Sequence, residues 1–314
     1  MIPRVAHFIW LTREFPWVNA LALESAALHG GFERVVLHHS REFEPERHRA
    51  ELARVPGLEL RELDVAALCS GLPAEQRRAV PELYGRLSRP AAQSNVLRVL
   101  VLSGEGGVYL DMDTVTVRSL APLCERAGVF CGAERIAFPG EIVSARRPFA
   151  YALGVLRSGV RGVLSRAPRG YSAFRSIERF YPLSANNAVL GASPKHPFVK
   201  GLVARMLALS EERAIRRFAL GTHLLQAALR DYAGDDLEVL GPAAFYPLGP
   251  EISQHWFRLG SQAELSQVLT DETRVVHWYA SLRTREQQRE LTRERVRELA
   301  PRQLFSALAV RYGA

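Results

Sequence analysis

Three features predict an α/β protein with a mostly parallel central sheet flanked by helices. Short apolar runs of strand length alternate with longer stretches of helical period, at 4–10, 34–39, 58–63, 108–113, 128–133, 237–241 and 274–278. Glycine pairs, Gly30-Gly31 and Gly106-Gly107, stand where helices must stop and strands begin. The 314 residues are 47% hydrophobic, enough for one large core, and contain no internal repeat or low-complexity tract.

Taken in order, the first strand is followed by a helix from Pro16 to His29. The stretch Leu72 to Arg89, with its prolines and charges, bridges the first half to a second helix over 90–103. In that helix Val96 to Leu102 is apolar on every face except at Arg98, the pattern of a buried helix. Val108-Tyr109-Leu110-Asp111-Met112-Asp113 then alternates with period two: Tyr109, Asp111 and Asp113 share one side, and Val108, Leu110 and Met112 the other. At about 3.3 Å per residue the two aspartates emerge about 6–7 Å apart at the backbone, so both can converge on one hard divalent cation. Residues 135–183 read as a helical insertion that shapes a ligand cleft; it carries Arg146, Arg147, Arg157, Arg161, Arg166 and Arg169 with Tyr171, Phe174, Phe180 and Tyr181. The adjacent pair His38-His39 is not read as a metal site, because neighbouring strand residues point to opposite faces.

The stretch Ser94 to Asp113 resembles the sugar-binding region of DXD-containing glycosyltransferases of the GT-A fold, including the catalytic domains of clostridial glucosylating toxins. The pattern is an acid three residues before an arginine on a helix, then G-G-x-Y-x-D-x-D; here it reads Asn95-Val96-Leu97-Arg98 and Gly106-Gly107-Val108-Tyr109-Leu110-Asp111-Met112-Asp113. Ile2-Pro3-Arg4-Val5-Ala6-His7-Phe8-Ile9-Trp10 is similar to the family's opening strand, and Asn186-Asn187-Ala188-Val189-Leu190-Gly191-Ala192 with Lys195-His196-Pro197-Phe198 to its middle segment. Val276-His277-Trp278-Tyr279-Ala280-Ser281 resembles the closing motif, with Leu282 where tryptophan is usual. The resemblance covers islands from residue 2 to 282, taken as a GT-A-like domain 1–282, with 283–314 as a charged C-terminal helical extension.

The resemblance implies metal-dependent transfer of a hexose from a nucleotide diphosphate sugar, a UDP-sugar, to an acceptor, with retention. Asp111, Asp113 and His277 are the implied ligands of Mn²⁺ or Mg²⁺, with Asp111, Asp113 and Arg98 as the catalytic set. Trp10 is the stacking surface for the base; Asn95, Arg98, Tyr109, Asp111, Asn187 and Ser281 complete the donor site. Asn95 replaces the usual acid, which removes one negative charge and adds a hydrogen-bond donor toward the sugar. A sugar-nucleotide-binding protein without turnover and an effector that glycosylates a protein are the competing readings. A metal phosphohydrolase finds no further convergent acids or histidines at motif spacing.

The net charge of +8 comes almost entirely from arginine, with lysine only at Lys195 and Lys200, the mark of compositional bias more than of a polyanion partner. No zinc module or RNA-binding strand motif accompanies it, so no nucleic-acid partner is expected. Cys69, Cys124 and Cys131 have no metal-ligand spacing and fit a reducing compartment. No run reaches the length of a membrane span and the first strand starts at once, which predicts no signal peptide and a cytoplasmic address. In Arg283–Gln303, glutamates at 286, 290, 294 and 298 alternate with arginines, predicting a solvated helix with one packing stripe of Leu291, Leu299, Leu304 and Leu308. The basic residues of that helix leave room for a peripheral membrane contact.

Overall fold

The computed structural model describes residues 1–138, 148–260, 262, 264–280 and 291–313. Its strands are β1 (Val5–Trp10), β2 (Arg34–His39), β3 (Leu58–Glu62), β4 (Gly107–Leu110), β5 (Thr114–Thr116), β6 (Val129–Arg135), β7 (Leu183–Ala192), β8 (Leu237–Leu240) and β9 (Val275–His277). The longer helices are α1 (Trp17–His29), α2 (Ala74–Arg86), α3 (Pro90–Glu105), α4 (Pro148–Leu164), α5 (Gly170–Ile177), α6 (Pro197–Leu207), α7 (Thr222–Asp231), α8 (Arg293–Leu299) and α9 (Leu304–Tyr312). The central sheet has the order β3-β2-β1-β4-β7-β6-β8, and of its seven strands only β7 runs against the rest. The expected α/β class with a mostly parallel central sheet is the class found.

Alternation along the strands feeds two cores. Phe8, Leu37, Val108, Leu110 and Phe130 turn to the side covered by Ala22, Leu23 and Ala26 of α1. Ile9, Tyr109, Cys131 and Leu190 turn to the other, against Val96, Leu97 and Leu100 of α3. Every residue of α3 from Val96 to Ser103 is buried, Arg98 included. The helix ends where the Gly106 N–H bonds Leu102 O at 3.1 Å, and Gly106 and Gly107 then take φ of 69° and 96° to enter β4. A Cβ on Gly107 would sit 2.8 Å from His7 Nε2, so both the backbone angle and the space require glycine there.

Three sequence expectations are corrected. The strand expected over 108–113 stops at Leu110: Asp111 to Asp113 form a turn, closed by Thr114 Oγ1 donating to Asp111 O at 2.8 Å, and β5 follows in a separate two-stranded ribbon with β9. β7 starts at Leu183, the last residue of the stretch read as helical insertion, and is a long strand that the sequence did not announce; helices α4 and α5 lie within that stretch. Arg146 and Arg147 of that stretch lie outside the described residues. Residues 72–89, read as a bridge, hold helix α2 with Pro81 inside it.

The C-terminal segment also differs from the solvated helix expected. Arg283 to Glu290 lie outside the described residues, and two short helices, α8 and α9, come after them. Leu291, Leu304 and Leu308 are buried in a third core with Val115, Val276, Trp256, Trp278 and Phe305. Arg293 pairs at 2.7 Å with Glu24 of α1, whose side chain is fully buried. The leucines expected as a packing stripe do pack, against the protein's own core.

Candidate active site

The turn after β4 sets two carboxylates at the carboxyl end of a parallel strand, where open α/β sheets bind ligands. Opposite it, the β5–β9 ribbon pairs Thr114 with His277, which brings the imidazole to Asp113 across 164 residues of sequence. His277 Nε2 lies 3.0 Å from Asp113 Oδ1, and one ligand atom from each of Asp111, Asp113 and His277 lies within 4.8 Å of the others. Asp113 Oδ2 accepts from the Ala280 N–H at 2.7 Å, and the Trp278 N–H bonds Asp113 O at 3.0 Å, so the closing segment is tied to this aspartate by two backbone bonds.

The two acids titrate in opposite directions. Burial pushes Asp111 up, and repulsion from Asp113 adds to that against the attraction of Arg98. Burial also works to raise Asp113, but the charge and hydrogen bond of His277 outweigh it and hold Asp113 down. His277 itself is raised: burial opposes the imidazolium, and the Asp113 carboxylate more than offsets it. His277 Nδ1 is buried with no hydrogen-bond partner among the described residues. Two repelling carboxylates and an imidazole nitrogen form a mixed oxygen–nitrogen donor set that a divalent cation would satisfy, with Mn²⁺ accepting the nitrogen more readily than Mg²⁺.

Arg98 and Tyr109 hold Asp111 from behind. Arg98 Nη2 is 3.0 Å from Asp111 Oδ1, Arg98 Nη1 donates to Asn187 O at 2.5 Å, and its guanidinium lies 4.3 Å from the centre of the Tyr109 ring. The Tyr109 hydroxyl donates to the same Asp111 oxygen at 2.7 Å. Both side chains are buried, and each directs one polar group to Asp111.

Two cavities meet at the aspartates. One, of about 330 Å³, is lined by Trp10, Thr12, Pro16, Ser94, Tyr109 and Ala280 as well as by both acids. Half-buried Trp10 packs edge-on to Phe15 at 5.1 Å, and its Nε1 is buried with no partner among the described residues. The other, of about 490 Å³, is lined by Asn95, Arg98, Glu134, Asn187, His277 and Tyr279 among others. Ser281 lies outside the described residues.

A β-bulge in β7 builds the wall of the larger cavity. Between β6 and β7 the register jumps: Cys131 faces Leu190, yet Gly132 faces Asn186. The surplus residues of β7 are re-aimed, as bulges near active sites often are. Asn187 Nδ2 then donates to Asn95 Oδ1 at 2.8 Å, joining two residues read separately from the sequence. Asn186 Nδ2 donates to Glu134 Oε2 at 2.8 Å, and the Tyr279 hydroxyl donates to the same oxygen at 2.6 Å. Burial pushes the Glu134 carboxyl up, against the lowering effect of those two bonds.

Glu134 and Tyr279 were not among the residues singled out from the sequence. Glu134 ends an apolar run and looks like an ordinary strand-end acid, whereas Tyr279 lies inside the closing motif. Tyr279 has φ of 60°, a strained conformation for a non-glycine residue. Of the four described non-glycine residues with positive φ, two, Phe218 and Tyr279, line this cavity. His38, by contrast, turns to His7 at 3.0 Å, and His39 turns to Ser40 O, so the adjacent pair does not form a site.

Residues 24–129 match the family model described as "Glycosyltransferase sugar-binding region containing DXD motif". This span includes Asn95, Arg98, Tyr109, Asp111 and Asp113. Over those residues the chain carries a DXD-type glycosyltransferase sugar-binding region. Solved structures similar to this chain include PaToxG glycosyltransferase, at 14% identity over 73% of this chain and 69% of that one with a TM-score of 0.47. Mouse xyloside xylosyltransferase 1 is similar at 16% identity over 87% and 97% with a TM-score of 0.48. The UDP-bound glycosyltransferase domain of the YGT toxin is similar at 10% identity over 76% and 79% with a TM-score of 0.43. No curated protein matches the chain. None of its described helices is long and apolar enough to cross a membrane.

Proposed function

We propose that this chain is a glycosyltransferase that moves a hexose from a UDP-sugar to an acceptor in the larger cavity, with Asp111, Asp113 and His277 holding Mn²⁺ or Mg²⁺. The convergence of those three side chains between the two cavities carries the reading. A divalent cation bound there supplies neutralisation of the charge that builds on the departing diphosphate. The base would stack on Trp10 in the smaller cavity, which leaves the sugar to the Asn95–Asn187 pair on the other side of the aspartates. Arg98 and Tyr109 act through Asp111, fixing its carboxylate in one orientation so that little reorganisation is needed on binding. Retention of anomeric configuration is the stereochemical outcome that the family resemblance implies.

Trp10 offers a direct test of the base position. Trp10→Ala is expected to weaken UDP binding by about 1–3 kcal/mol, the scale of base–aromatic stacking. Calorimetry on the folded variant reads this; unchanged affinity returns Trp10 to a packing role beside Phe15.

The reaction itself is tested with a panel of nucleotide sugars and Mn²⁺, read by release of nucleoside diphosphate. EDTA is expected to silence the release and Mn²⁺ to restore it. Failure of every donor to release its diphosphate would sink the proposal in favour of binding without turnover. The same panel reports on Asn95: Asn95→Asp restores a negative charge beside Arg98 while keeping the oxygen that accepts from Asn187. The ranking of UDP-glucose, UDP-galactose and UDP-N-acetylglucosamine is expected to change, with affinity for free UDP little altered. An equal change across all donors and free UDP places Asn95 away from the sugar.

A further inference from the structure

Helix α4 turns an uncharged apolar face to solvent. Phe149, Leu156 and Val163 are 78%, 63% and 68% exposed and recur every seven residues, with exposed Ala152, Val155 and Gly159 beside them. Seven residues is nearly two turns, so they share one side of the helix. The inward side is fixed by other contacts. A Cβ on Gly154 would meet the Phe138 ring at 2.3 Å, Arg157 donates to Phe180 O at 2.8 Å, and Arg161 pairs with Glu251 at 3.2 Å. The arginines on the helix are thus turned inward and bonded, and the outward stripe carries no charge. An exposed apolar patch of this kind on a globular surface marks an interaction site.

The patch borders the larger cavity, since Phe138, Ser158 and Arg161 line it. Across the cavity the opposite rim carries the same kinds of side chain: Phe218 lines it, Phe218 and Ile215 are 48% and 55% exposed, and exposed Arg213, Arg216 and Arg217 outnumber exposed Glu211 and Glu212, of which Glu211 pairs with Arg86. On the first rim exposed Arg166, Arg169 and Arg179 fringe the apolar face, and Glu178 is the single acid between residues 148 and 182. Apolar side chains fringed by arginine match a bilayer surface with anionic headgroups, into which the former insert while the latter stay at the phosphates. A second copy fits less well. A two-fold contact through this face would bring the same arginine fringe against itself.

We infer that the two rims of the larger cavity dock on an anionic lipid bilayer, through the outer face of α4 and through the Ile215–Phe218 segment. The cavity then opens at the headgroup layer. The inference is independent of the transfer reaction, because vesicle binding is read without donor or acceptor.

Co-sedimentation of the full chain with phosphatidylglycerol-containing vesicles and with pure phosphatidylcholine vesicles tests it. Binding is expected to the anionic vesicles alone and to weaken as salt is raised. Leu156→Glu is expected to abolish it; Arg166→Ala and Arg217→Ala, one on each rim, are each expected to weaken partition about fivefold. Circular dichroism checks that these surface variants stay folded. Binding that Leu156→Glu leaves unchanged overturns the inference, as does an absence of binding to either vesicle. A concentration-dependent dimer abolished by Leu156→Glu, without vesicle binding, assigns the face to a second copy and overturns it too.

Discussion

Asp113→Asn is expected to lower turnover by about 10³-fold or more with the fold intact, because a bound divalent cation contributes several kcal/mol of charge stabilisation and each 1.4 kcal/mol is a factor of ten. The asparagine can still accept from the Ala280 N–H, so the bond that ties the closing segment to this position survives. What is lost is the negative charge that pairs with His277 at 3.0 Å and helps hold a cation. Diphosphate release by the folded variant, measured with saturating Mn²⁺, reads the effect. Turnover at the native rate would remove Asp113 from the metal site and with it the reading of the cavities on either side.

Arg98→Leu is expected to cost about 3–5 kcal/mol of folding stability at neutral pH, the scale for removing one partner of a buried ion pair. Arg98 is 4% exposed and gives donors to Asp111, to Asn187 O and to Ser94, so leucine leaves a carboxylate and a carbonyl without their partner. Urea denaturation of the two proteins without donor measures this. A variant of native stability that has lost only its affinity for nucleotide sugar would instead make Arg98 a direct donor contact. The distinction matters because the sequence reading put Arg98 on the sugar or phosphate, and the structure commits its guanidinium to the Asp111 side of the site.

Asn187 shows how the two levels of information combine. Its place in the middle motif marked it as a candidate sugar contact, but nothing local placed it beside Asn95. That contact comes from the bulge in β7, which exists because β7 must pair with β4 on one edge and β6 on the other with different registers. β7 was also missed as a strand. LSANNAVLGA holds one β-branched residue, Val189, and its extended state comes from lying between two strands more than from its own preference.

The sequence by itself determined whatever depends on neighbours along the chain. The apolar period of α3 fixed its burial, Gly106 and Gly107 fixed the turn into β4, and the spacing of Asp111 and Asp113 fixed that two carboxylates would lie together. Even there the strand stopped three residues early, because the Thr114 side chain bonds Asp111 O and the chain leaves the sheet for the β5–β9 ribbon. The closing motif marked His277 as a candidate partner of those carboxylates; only the tertiary structure decided how it reaches them and what else lies beside them. His277 arrives through an antiparallel pairing with Thr114, and Glu134 and Tyr279 come together across 145 residues. Such contacts leave no periodic trace, since they depend on which strand ends the sheet brings side by side.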